Sequence, residues 1–72
     1  MTNTILLKKA IEESGLRIYF VAKKLGITYP TLRKKVNGER EFLASEILIL
    51  TELLHLSPVD RDRIFFASGV VK

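Results

Sequence analysis

Apolar residues recur along this chain at helical spacing, and no stretch alternates as a half-buried strand would. The pattern predicts five helices. The first covers roughly residues 4–14, with Leu7, Ala10 and Ile11 on one face, Asn3 or Thr4 as its cap and Gly15 as its stop. On its other face Lys8/Glu12 and Lys9/Glu13 stand one turn apart, a spacing that predicts ion pairs. Leu16 then drops into the core. A second helix, roughly 18–25, buries Val21, Ala22 and Leu25 and ends at Gly26, with Ile27 anchoring the turn. A third, roughly 29–36, starts from Thr28 as cap and carries Pro30 in its first turn, where no intrahelical N–H bond is lost. Leu32 and Val36 give it one narrow apolar stripe, and Asn37-Gly38 ends it.

Phe42 reads as a buried plug in the following loop. A fourth helix over roughly 44–55 turns Ile47, Leu50, Leu53 and Leu54 inward and brings His55 to its C-terminal end, where the macrodipole favours a cation. Leu56-Ser57-Pro58 signals another start: Ser57 caps, Pro58 takes the first helical position, and Asp60 can complete a capping-box-like end. The fifth helix runs to about Ala67 and contributes Ile64 and Phe65; Gly69 releases the tail Val70-Val71-Lys72. Phe65 and Phe66 cannot both face one narrow core. One closes it, and Phe66 with Val70 and Val71 is a candidate homodimer contact. The expectation is a single all-α domain over residues 1–72.

Composition narrows the possibilities. The 72 residues include no Cys and one His, which leaves no disulfide framework and no thiolate or multi-histidine metal set. The four serines have no His–acid constellation beside them, Asp60 and Asp62 suit a helix N-terminus, and no phosphate-cradling loop is present. An enzyme and a bound cofactor are therefore not expected. The longest apolar run, Ile47 to Leu50, is far too short to span a bilayer, and the lysines after Ile5-Leu6-Leu7 reverse the order of a signal peptide, so a cytoplasmic protein is expected. At 47% hydrophobic, the chain is too apolar for disorder. Its net charge of +4 is unevenly spread. Residues 1–38 hold eight Lys/Arg against two acids, and residues 39–72 hold four against six. That asymmetry points to a polyanion on one face.

The basic density peaks behind a glycine turn. In Val21-Ala22-Lys23-Lys24-Leu25-Gly26-Ile27-Thr28-Tyr29-Pro30-Thr31-Leu32, a small residue lets two short helices approach, Gly26 supplies the turn, and Ile27 and Leu32 pin the second helix across the first. With Leu32 and Val36 inward, Thr31, Arg33, Lys34 and Lys35 are expected outward, on a helix sized for a major groove.

This outline resembles the phage Cro/CI-type (XRE-like) helix-turn-helix regulators, and the likeness extends over nearly the whole chain. Within that family it is similar to small Cro-position proteins of phages of Gram-positive bacteria. The residues carrying the likeness are Leu32 to Gly38, Phe42, Glu46-Ile47, Leu56-Ser57 and Ile64 to Ala67. In length and layout it is also similar to the modulators of repression of temperate lactococcal phages, antirepressors that partner the phage CI repressor. The resemblance implies a five-helix lambda-repressor-like domain that binds double-stranded operator DNA. Tyr29, Pro30 and Lys34 would sit at base-reading positions. Arg17, Arg33, Lys35, Asn37 and Arg40 would approach phosphates, with Thr28 and Thr31 in the same DNA-binding set.

Two features depart from the family pattern. The recognition tip is Tyr29-Pro30, where polar residues such as Gln are usual, and the second helix opens with Ile18-Tyr19-Phe20, of which one or two should be exposed. An apolar-aromatic cluster there fits a protein contact. Two mechanisms therefore stand side by side: a Cro-like repressor, and an antirepressor binding the CI repressor through Ile18, Tyr19, Phe20, Tyr29 and Lys34.

Overall fold

In the computed structural model, which describes residues 1–66, the chain forms α1 (Thr4–Ser14), α2 (Ile18–Leu25), α3 (Tyr29–Val36), α4 (Ala44–Leu53) and α5 (Pro58–Phe65). There is no strand among the described residues, and the architecture is all-α, with α2 and α3 joined as a helix-turn-helix. α2 packs on α3 and α4, and α1 packs on α3 and α5.

Local chemistry sets most boundaries. Asn3 Oδ1 accepts the Leu6 N–H at 3.0 Å to open α1, and Ser57 Oγ accepts the Asp60 N–H at 3.1 Å to open α5. The Asn3 N–H donates to the Ile64 carbonyl at 2.6 Å, which ties the chain's start to its last helix. The core gathers Leu7 and Ile11, Val21, Ala22 and Leu25, Leu32 and Val36, Phe42, Leu50 and Leu54, and Ile64 and Phe65. Ala10, Leu16, Ile27, Ile47 and Leu53 are half-buried against it. Phe42 is the expected plug, packed edge-on to Phe65 with centroids 5.6 Å apart. Phe65 closes the core while Phe66 is exposed. Val70, Val71 and the expected end of α5 at Ala67 lie outside the described residues.

Three expectations need correcting. α4 ends at Leu53 instead of His55, because His55 turns left-handed (φ 55°) and the Leu56 N–H closes back on the Thr51 carbonyl at 2.9 Å. Among the described residues the ion pairs are Lys35–Glu46 and Arg61–Asp62, so Lys8/Glu12 and Lys9/Glu13 stay apart as solvated side chains. Most consequential is Lys35, expected outward toward phosphate. It is buried, and its Nζ lies 2.6 Å from Glu46 Oε1. The reason is helical period: residue 35 stands three after Leu32, so the inward stripe is Leu32, Lys35 and Val36.

His55 occupies a conformation that L-residues enter at a cost of about 1–2 kcal/mol, part of which glycine returns as unfolded-chain entropy. His55→Gly should therefore raise stability by about 0.5–1 kcal/mol, lifting the melting temperature by several degrees in a domain this small. A thermal melt followed by circular dichroism checks it; an unchanged or lower midpoint would mean the histidine makes a compensating contact.

Candidate nucleic-acid interface

The interface is built on the α2–turn–α3 unit. α2 ends because Gly26 adopts φ 73°, which lets the Ile27 N–H reach the Ala22 carbonyl at 3.1 Å. Thr28 then caps α3. Its Oγ1 accepts the Thr31 N–H at 3.3 Å, and its hydroxyl donates to Thr31 Oγ1 at 2.9 Å. The two threonines placed in the DNA-binding set thus share a cap, with Thr28 exposed and Thr31 half-buried. Pro30 stands exposed in the first turn of α3.

Beyond the cap, α3 presents Arg33 and Lys34 to solvent, followed by exposed Asn37 and Arg40. Arg17, at the start of α2, is exposed as well. Neither α2 nor α3 contains an acidic residue, so the helix pair presents a surface of one sign. Lys35 alone of the expected set is buried. Its partner Glu46 was not read from the sequence as a site residue. The available signal was the position of Lys35 on the same stripe as Leu32, together with an acid in the first turn of the next helix. Glu46 Oε1 also accepts the Leu43 N–H at 2.8 Å, so one carboxylate caps α4 and holds α3 against it.

The aromatic residues resolve into a defined arrangement. Ile18 turns inward, half-buried against the core, whereas Tyr19 is 66% and Phe20 40% exposed. The Tyr19 ring stacks on Tyr29, centroids 4.4 Å apart and planes inclined by 19°. Arg33 Nη1 donates to the Tyr29 hydroxyl at 3.1 Å. That hydrogen bond, with a coulombic contribution from the same residue, raises the Arg33 guanidinium above its ordinary pKa. Lys24 Nζ lies 5.4 Å from the Phe20 ring centroid. An aromatic strip flanked by cations thus runs from the start of α2 to the start of α3.

An eight-residue helix is about 12 Å long, and a B-form major groove is about 12 Å wide, so α3 fits lengthwise or obliquely. Its cations would meet phosphates and base edges there. No helix among the described residues is long and apolar enough to cross a membrane.

The chain matches the family described as Helix-turn-helix over residues 7–60, a stretch that runs from the core of α1 into α5 and includes the whole interface. Comparison with curated proteins and with solved structures gave no match. With the capped glycine turn, the acid-free helix pair and the family match in agreement, this chain belongs to the helix-turn-helix family as an XRE-like, DNA-binding transcription regulator.

Proposed function

We propose that the chain is a phage-type regulator of the lysis/lysogeny switch: a single-domain, Cro-like repressor in the bacterial cytoplasm, acting at operator and promoter DNA alongside the phage CI-type repressor. The observation that carries this reading is the exposed Arg33–Lys34 pair on an acid-free helix behind the Gly26 turn. A dimer or paired monomers would lay α3 in successive major grooves and block the promoter. Lys34 donates to guanine O6 or N7, while Arg17, Arg33, Asn37 and Arg40 hold phosphates and fix register. Phe66, 45% exposed beside half-buried Ile47 and exposed Leu48, supplies a surface for the homodimer.

The test is titration onto the DNA upstream of its own reading frame at several salt concentrations, with and without the cognate repressor. Binding without the repressor should weaken with a log–log slope of about −0.9 per phosphate contact. Lys34→Ala should weaken binding roughly tenfold and relax selectivity at one base pair, with the melting temperature unchanged. Salt-insensitive binding, or none, would overturn this reading.

One observation favours a second reading. Exposed Tyr19 and Phe20, with Tyr29 and Lys34, form the kind of surface an antirepressor would press against the CI repressor. In that case DNA alone would not shift, and the chain would change the repressor's own binding.

A further inference from the structure

Three features of the recognition tip do not suit hydrogen-bonded base reading. Pro30 has no side-chain donor or acceptor. The Tyr29 hydroxyl accepts Arg33 Nη1 at 3.1 Å, which leaves its single O–H as the one side-chain donor of the Tyr29-Pro30 tip. The Tyr19 ring lies against Tyr29 at 4.4 Å, which makes the pair a stiff apolar step. This step is exposed in part, since Tyr19 is 66% accessible, and no acidic residue is found on either helix carrying it.

We infer that the Tyr19–Tyr29 stack, with Pro30 beside it, is a specificity element that reads thymine 5-methyl groups in the major groove. The inference rests on the operator-binding reading and deepens it. Among the features that base pairs show in the major groove, the thymine methyl is the one met by apolar contact; the others are donors and acceptors that call for amide, guanidinium or carboxylate partners. An apolar step carried on two acid-free helices matches that environment, because thymine methyls are flanked by phosphates. A protein partner of equal charge complementarity would need an acidic rim around an aromatic socket. The bond from Arg33 adds a positioning role: it fixes the Tyr29 ring from the side opposite its own backbone attachment, so the edge offered to the groove does not swing.

The experiment starts from random duplex DNA selected on the wild-type chain. In the enriched duplex each thymine is then replaced singly by deoxyuridine, which lacks only the methyl. At one or two positions per half-site, affinity should fall roughly fourfold, the equivalent of one buried methyl group. Tyr19→Ala changes an exposed residue, should stay folded, and should weaken binding while flattening the deoxyuridine effect at those positions. Tyr29→Phe keeps the stack but loses the oxygen that Arg33 holds, so the deoxyuridine effect should shrink yet persist at the same positions. If every deoxyuridine duplex binds like its parent, the thymine-reading inference is overturned and operator binding stands. If no duplex is enriched, operator binding falls and this inference with it. Capture of a repressor in that case would assign the aromatic step to a protein contact.

Discussion

Glu46→Ala should lower the unfolding free energy by about 3–5 kcal/mol. The carboxylate has two duties: Oε1 accepts Lys35 Nζ at 2.6 Å and the Leu43 N–H at 2.8 Å. Both side chains of the ion pair are only 6% exposed. Truncation strands a buried ammonium without a counter-charge and leaves a helix-start N–H without its acceptor. A domain of this length has a total stability of about 4–11 kcal/mol, so the loss is between about a quarter and the whole of it. Rupture overstates what the pair contributes, because desolvating two charges cancels much of their attraction. The double variant Lys35→Met/Glu46→Gln should therefore lie much nearer wild type than Glu46→Ala or Lys35→Met alone. Glutamine keeps an oxygen for Leu43, and methionine keeps a stem in the place of the lysine that reaches toward Phe42. Urea unfolding of wild type, Lys35→Met, Glu46→Gln and the double variant measures the cycle, with Glu46→Ala alongside. A Glu46→Ala protein as stable as wild type would remove the claim that this pair locks α3 to α4.

Leu32→Ala should cost about 2–5 kcal/mol, the range for emptying a fully buried leucine site. Leu32 is 0% exposed and belongs to the core cluster with Val21, Ala22 and Leu25 of α2. The cavity would open beneath the recognition helix, between the two elements whose relative angle presents the basic face. DNA binding should be lost with the fold, in contrast to Lys34→Ala, whose surface change stays within about 0.5 kcal/mol in stability. Melting curves and binding isotherms on both proteins separate the two routes to lost activity. If Leu32→Ala melts like wild type, α3 is held by something other than this packing.

Much of the helix-turn-helix was legible in the residues because its signals are local. Gly26, Thr28 with Thr31, and Ser57 with Asp60 act within a few residues of themselves, and each appears in the structure where its spacing indicates. The end of α4 was misread because no glycine marks it: His55 takes the left-handed position that glycine usually fills. Lys8 and Lys9 show the opposite failure. The spacing for pairing is present, but an exposed ion pair gains too little to hold two long side chains together.

The chain by itself determined the five helices, their order, the apolar members of each inward stripe and the basic character of α2 and α3. These follow from period, caps and charge, all read over one or two turns. Tertiary structure alone decided which charges and aromatics reach solvent. Lys35 looked like one of three adjacent cations until Glu46, eleven residues on, came within 2.6 Å and drew it under Phe42. Ile18, Tyr19 and Phe20 were three apolar neighbours until the crossing of α2 and α3 turned the first inward and laid the second on Tyr29. The physical reason is the same in both cases. Burial and pairing depend on the approach of elements distant in sequence, and no local spacing encodes the angle at which two helices meet.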